Sequence, residues 1–270
     1  MKSNKTIDAA ELLERVRTQK PLVHHITNWV TIYDCANVVR MVGGLPVMAH
    51  AIEESAEMQG ISSALVLNIG TLTLELVDSM VAAAKEANAK KHPVVLDVVG
   101  AGATKMRNEK ALEILDSVRV DILKGNRSEI AKMAGEDVST RGVESGAVTG
   151  DIGAITKALA RKYGNTVAVT GKEDFVASAS HGNYVVRNGH RLMGEFVGTG
   201  CMAASVIGCF AAVERDYAAA SAAGLSCYGI AGELAARKAD APGAFKQCLL
   251  DALYKLDGAT VRKMQKIEEF

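Results

Sequence analysis

The chain has 270 residues, and its 31 Lys+Arg are balanced by 31 Asp+Glu, so the formal net charge is zero. That balance gives no support to nucleic acid or an acidic membrane as the main partner. Hydrophobic residues make up 49 % and prolines number only 4, which excludes a disordered or low-complexity chain.

No stretch reaches the ~18 uncharged apolar residues of a membrane-spanning helix. The N-terminal segment has a charged start but no continuous apolar run, so it reads as an amphipathic helix rather than a secretory leader, with Asp8 and Glu11 at capping-box spacing. From there, short apolar runs at 22–26, 64–69, 94–99, 120–123 and 166–169 alternate with helical patterns at 31–42, 74–89, 109–118 and 151–162. The runs are rich in Val, Leu and Ile without polar alternation, as in strands buried on both faces of a parallel sheet. Gly43-Gly44 supplies a helix stop. After Gly171 the texture changes to short strands at 175–180, 184–186 and 191–193, with hairpin turns at 181–183 and Asn188-Gly189. The remainder reads as three helices at 201–214, 218–239 and 245–266. The expected fold is a single α/β domain over residues 1–270. Five widely spaced cysteines (Cys35, Cys201, Cys209, Cys227, Cys248) without a CxxC pair point to a reducing cytoplasm, not to disulfides or zinc.

In open α/β sheets, ligands bind at the carboxyl ends of the strands. Here the apolar runs stop at Asn28, Asn68, Asp97, Lys124 and Thr170, which predicts one polar crevice. Asp97 stands out because Val98 and Val99 continue the apolar run, so its carboxylate needs a partner or a metal. Asn126 and Glu129 have capping-box spacing, and the same corner suits a hydrated Mg²⁺ with phosphates. Gly198-Thr-Gly200-Cys201 opens a helix of small residues, whose first-turn N–H groups attract anions and would lower the pKa of Cys201. A tight turn before a buried structural cysteine is the plainer alternative. His24 and His25 read as hydrogen-bonded structural residues. Cys209, Cys227 and Cys248 fall on apolar helical patterns and read as packing residues. The GxxxxGK[ST] phosphate loop is absent, and Gly100-Ala-Gly102 lacks the later glycine of a dinucleotide fingerprint.

Taken together, PLVHHITNWVT, GLPVMAHAIEE, ALVLNIGTL, LDVVGAGAT, KGNRSEI, VAVTG and VGTGCMAASVIG occur in the order found in the hydroxyethylthiazole kinase family, which the chain resembles over nearly its whole length. The resemblance implies a ribokinase-like fold, a mainly parallel sheet between helices. It implies transfer of the γ-phosphoryl of ATP to 4-methyl-5-(2-hydroxyethyl)thiazole with Mg²⁺, in thiamin biosynthesis or salvage, by a homotrimer with interfacial active sites. By the same resemblance, Asn28, Val30, Met48, Gly70, Thr71 and Gly198 would contact the thiazole. Lys124, Asn126 and Thr170 would contact ATP, and Asp97 and Glu129 would hold Mg²⁺ or its waters. Gly198, Gly200 and Cys201 would form the catalytic anion hole, with Cys201 where related sugar kinases carry an aspartate base. Three departures stand out: Val98 where the family often has Pro, implying a looser loop; Tyr33 where it often has Asn; and Lys124 where it often has Arg. A kinase for another small alcohol, such as a hydroxymethylpyrimidine or a sugar, is one alternative. A nucleotide- or thiazole-binding protein without turnover is another.

Overall fold

The computed structural model describes residues 7–136 and 150–270; the first six residues of the N-terminal segment lie outside the described residues. The chain opens with α1 (Ala9–Gln19), capped by Asp8, whose carboxylate accepts from the N–H groups of Ala10 and Glu11. There follow β1 (Leu22–Ile26), α2 (Ile32–Val42), β2 (Leu45–Val47), α3 (Ile52–Gly60), β3 (Ala64–Asn68), α4 (Leu74–Lys90), β4 (Val94–Asp97), α5 (Lys105–Ser117), β5 (Ile122–Asn126) and α6 (Arg127–Met133). The second part holds α7 (Ile152–Tyr163), β6 (Thr166–Thr170), β7 (Asp174–Ser178), β8 (Tyr184–Val186), α8 (Thr199–Val213), α9 (Tyr217–Ala235), α10 (Pro242–Lys255), α11 (Gly258–Met264) and β9 (Ile267–Glu269).

The strands form one sheet in the order β2-β1-β3-β4-β5-β6-β7-β8-β9. Pairing is parallel from β2 through β6 and antiparallel through β7, β8 and β9. The parallel strands are buried on both faces, as their unbroken apolar runs require. Val23, Val66, Val95, Ile122 and Ala168 face a core built with α1, α2, α8, α9 and α10. Ile26, Leu65, Leu67, Leu96, Leu123 and Val167 face a second core built with α4, α5, α6 and α7. Helix α8 lies hard against the sheet: a Cβ on Gly208 would come within 2.5 Å of Val66, a distance only glycine permits.

Several predicted elements differ. Residues 191–193 form a 3-10 turn over Arg191–Gly194, not a strand. Asn188-Gly189 is no hairpin: Asn188 is a buried knot that accepts from Ser226 Oγ and Lys266 N and donates to Glu233 and the Met264 carbonyl. The predicted helix at 245–266 is two helices, because Asp257 caps a new start by accepting from the N–H of Thr260, and the chain then ends as strand β9. The apolar run 94–99 leaves the sheet at Asp97, although Val98 N–H still donates to the Lys124 carbonyl at 2.9 Å.

Candidate active site

Parallel register sets the site. Asn68 lies beside Asp97, and Asp97 beside Lys124, in three adjacent strands. Alternation along each strand puts all three on the face of Val66, Val95 and Ile122, toward the start of α8. Lys124 Nζ donates to Asp97 Oδ1 at 3.1 Å, with both side chains almost fully buried. Asn68 Nδ2 donates to Asp97 Oδ2 at 2.9 Å. Asn28, two residues beyond β1, donates to Asn68 Oδ1 at 2.9 Å and to Cys201 Sγ at 3.3 Å. The predicted strand-end residues Asn28, Asn68, Asp97 and Lys124 are thus one hydrogen-bonded row.

Gly198 starts α8 in the left-handed region at φ 102°, and no side chain caps this helix. The first-turn N–H groups are therefore left to an anion. A Cβ on Gly200 would stand 3.0 Å from Lys124 Nζ, so glycine here lets the ammonium reach the helix start. Backbone donors and a buried cation converge on the same end of the sheet, which suits phosphate oxygens.

Charge states follow from burial. Burial works against the Lys124 ammonium, but Asp97, Glu129 and Cys201 outweigh it and hold its pKa above the ordinary value. Burial pushes Asp97 up, against the pull of Lys124 and Asn68. The expectation for Cys201 is corrected: its thiol is pushed up, not down, chiefly by burial and next by Asp97, and Lys124, Thr31 and Asn28 offset this only in part. Desolvation and a neighbouring carboxylate thus outweigh the polar groups around the thiol.

Glu129 caps its own helix and ties two loops. Its N–H donates to Asn126 Oδ1, Asn126 N–H donates to Oε2, and Gly100 N–H donates to Oε1, each at 2.7–2.9 Å. Burial, and then the nearby Asp97, push its carboxyl up to about 7. Asp97 and Glu129 offer oxygen donors suited to a hydrated Mg²⁺ carried mainly by phosphates. Among the described residues no group of three His, Cys, Asp or Glu side chains forms a dedicated metal cage. Thr170 stands opposite Asn126 in the β5–β6 register, and its hydroxyl reaches the Gly125 carbonyl at 3.5 Å.

In the loops after β1 and β3, Asn28 Oδ1 accepts from Val30 N, Thr31 N and the Thr31 hydroxyl, and Thr71 Oγ1 accepts from Trp29 N. The loops carrying Asn28, Val30, Gly70 and Thr71 therefore meet. Gly198 joins them, since its Cβ would lie 3.0 Å from Thr31 Cγ2. Met48 is half-buried just past the end of β2. Val30 is 67 % and Tyr33 77 % exposed, so neither is enclosed within the single chain. His24 is buried between the Ala49 carbonyl and Gln59, and His25 between the Val23 carbonyl and Ser205, as structural residues are. Burial pushes His25 down to about 3.

Sequence reasoning missed Arg107. Its Nη1 donates to the Ile69 and Val99 carbonyls, both at 2.8 Å, and Nη2 to the Gly70 carbonyl at 2.7 Å. One guanidinium thus fastens the loop after β3 to the loop after β4. With the Val98 N–H bond, which a proline would lack, it tethers the loop that the departure at Val98 was expected to loosen. A lone arginine on a polar helix carries no sequence signal for three carbonyls.

A mainly parallel sheet covered on both faces, with a buried lysine–carboxylate pair facing a glycine-opened helix start, is an arrangement suited to phosphoryl transfer. A ribokinase-like superfamily protein from Enterococcus faecalis shares this fold at TM-score 0.61 and 12 % identity, covering 96 % of this chain and 92 % of that one. Residues 13–259 match the model of the hydroxyethylthiazole kinase family. A hydroxyethylthiazole kinase from Methanosarcina mazei is 57 % identical over 95 % of this chain and 98 % of its own length. The solved structure of a hydroxyethylthiazole kinase protein from Pyrococcus horikoshii superposes with TM-score 0.88 at 42 % identity, covering 97 % of this chain and 98 % of that one. The chain belongs to the hydroxyethylthiazole kinase family.

Proposed function

We propose that this enzyme transfers the γ-phosphoryl of ATP to the hydroxyethyl arm of 4-methyl-5-(2-hydroxyethyl)thiazole, in thiamin biosynthesis or salvage. The observation that carries the reading is the convergence of Lys124, Asp97 and the uncapped start of α8 with Asn28 and Cys201 in one strand-end row. The thiazole alcohol oxygen attacks the γ-phosphorus, the bond to the β-phosphate oxygen breaks, and ADP leaves. Phosphoryl transfer of this kind is mostly positioning and charge stabilisation. Lys124 and the N–H groups at Gly198, Gly200 and Cys201 would spread the charge on the transferring oxygens. Asn126 and Thr170 would steady the nucleotide, while Val30, Met48, Gly70 and Thr71 would flank the flat apolar ring. When bound, Mg²⁺ supplies charge neutralisation across the phosphates, with Asp97 and Glu129 as its protein donors or the acceptors for its waters.

Cys201 Sγ lies near the alcohol, but its raised pKa keeps it a thiol at neutral pH, and a thiol that holds its own proton cannot take another. In this reading the alcohol's proton passes to an oxygen of the transferred phosphoryl group, in a reaction that asks little of a base, and Cys201 offers at most a hydrogen bond. The family resemblance supports a homotrimer, and so do the exposed Val30, Tyr33, Trp29 and Val197, which a neighbouring copy would cover beside the substrate loops. One kinase domain over the whole chain is supported by the single sheet with a core on each face. A cytoplasmic setting is supported by five free cysteines; among the described residues no helix is long and apolar enough to cross a membrane.

The substrate is tested by incubating enzyme and Mg-ATP with hydroxyethylthiazole, a hydroxymethylpyrimidine or ribose, and weighing the products by mass spectrometry. The expected result is phosphate added to the thiazole at least tenfold faster than to the others. Preference for the pyrimidine or sugar would replace the substrate assignment, and no product from any alcohol would favour a binding protein without turnover.

A further inference from the structure

Asn68 lies at the centre of the row, 1 % exposed, and its role was not foreseen. The orientations of the two amides follow from backbone donors alone. Asn28 Oδ1 receives two backbone N–H groups, from Val30 at 3.1 Å and Thr31 at 3.0 Å, so that atom is the oxygen. Asn28 Nδ2 therefore donates, and its two hydrogens go to Asn68 Oδ1 and Cys201 Sγ. Asn68 Oδ1 also receives Gly70 N–H at 2.9 Å, which leaves Asn68 Nδ2 to donate to Asp97 Oδ2 at 2.9 Å. Both acceptor sites of Asn68 Oδ1 and one hydrogen of its Nδ2 are committed, with the substrate loops on one end and the Lys124-paired carboxylate on the other. Gly70 is pressed onto this pair: a Cβ there would lie 3.0 Å from both Asn68 Oδ1 and Asn28 Cβ. The loop beside the thiazole cannot shift without moving the Asn68 amide.

We propose that Asn68 is a positioning residue that couples the two binding sites, so that thiazole and Mg-nucleotide tighten each other's binding through the Gly70–Asn68–Asp97 connection. The inference rests on the proposed substrate. When one ligand settles the Gly70 loop, the amide is fixed and Asp97 is already oriented for the other. Linkage makes the effect reciprocal.

The test is calorimetric titration of hydroxyethylthiazole into the full-length protein, with and without saturating Mg-ADP. Wild type is expected to bind thiazole about five- to tenfold tighter with Mg-ADP present, toward the lower end of typical couplings. Asn68→Ala removes both ends of the connection, so thiazole affinity alone weakens and the mutual tightening falls to about twofold or less. Asn68→Asp keeps oxygens for Gly70 N–H and Asn28 but cannot donate to Asp97. It is expected to cost thiazole affinity alone less than Asn68→Ala does, yet to lose the tightening as completely. A purely structural Asn68 would lower the melting temperature in both variants and leave the tightening intact in Asn68→Asp, which overturns the inference. Wild type that binds both ligands independently overturns it as well. Wild type that binds Mg-ADP but no thiazole overturns the proposed substrate and this inference with it.

Discussion

The chemistry turns on single side chains whose neighbours set their charge. Cys201 is held as a thiol by burial and by Asp97, so a substitution that supplies an anion at that point should raise turnover, and one that keeps the proton should not. Cys201→Asp is expected to match or exceed wild type at pH 7.5 in a coupled ADP-release assay. Cys201→Ser, which likewise keeps its proton, should lose no more than about tenfold in turnover; the ~10²–10⁴ of a lost general base would show that the thiol ionises in the complex. Serine at wild-type rate would leave Cys201 as a space-filling residue. Glu129 is more deeply committed than its capping spacing suggested, since each of its oxygens takes a different backbone N–H. Glu129→Gln keeps one of these and turns an amide donor toward the other. It should therefore lower the melting temperature, by about 1–3 kcal/mol of stability, as well as raise the Mg²⁺ needed for half-maximal rate. A stability loss with an unchanged Mg²⁺ titration would return Glu129 to a purely structural role.

At the scale of elements, the loops after β3 and β4 are held by Arg107 from the first turn of α5. Arg107→Lys cannot reach three carbonyls with one ammonium, so KM for the thiazole should rise several-fold with a smaller change in kcat, read by steady-state kinetics. An unchanged KM would mean that the loops hold themselves. Gly198→Ala places a Cβ at φ 102° against Thr31, and should cost about 1–2 kcal/mol in the backbone alone. The parallel strands were legible because burial on both faces leaves only apolar residues until the polar end, and that same rule exposed Asn28, Asp97, Lys124 and Thr170. Where an element lacks such a pattern the sequence was silent. Strand β2 is three residues containing Pro46, and α3 buries Ser55 and Gln59 rather than an apolar stripe. The break between α10 and α11 hangs on a single Asp257 cap, and β9 exists only because β8 offers it an edge. Asn68 was seen as a strand end, but its bonds to Asp97 in β4 and to Asn28 beyond β1 depend on register, which no single segment encodes.

Across the whole molecule, buried carboxyls link stability to pH. Asp174, at the start of β7, accepts from Gly171 N–H, yet burial pushes it up to about 7. An acid raised in the folded state contributes stability that is full below its unfolded pKa near 4 and is lost as pH rises through about 7. Asp174→Asn keeps an oxygen for Gly171 and has no charge to bury. Its melting temperature relative to wild type should therefore climb between pH 4.5 and 8, by a few degrees for each ~1 kcal/mol. A difference that stays flat with pH would show that Asp174 does not titrate in this range. The proposed trimer predicts a threefold mass by light scattering at micromolar concentration, and Tyr33→Asp on the exposed rim should shift it toward smaller species. A fully active monomer would remove the shared site. The central claim is transfer of phosphate from ATP to a thiazole alcohol, and phosphorus NMR of enzyme, Mg-ATP and hydroxyethylthiazole reads it most directly. The account predicts a phosphomonoester signal growing mole for mole with ADP and dependent on the thiazole, whereas ADP appearing with inorganic phosphate alone, or no change in the ATP signals, would contradict it.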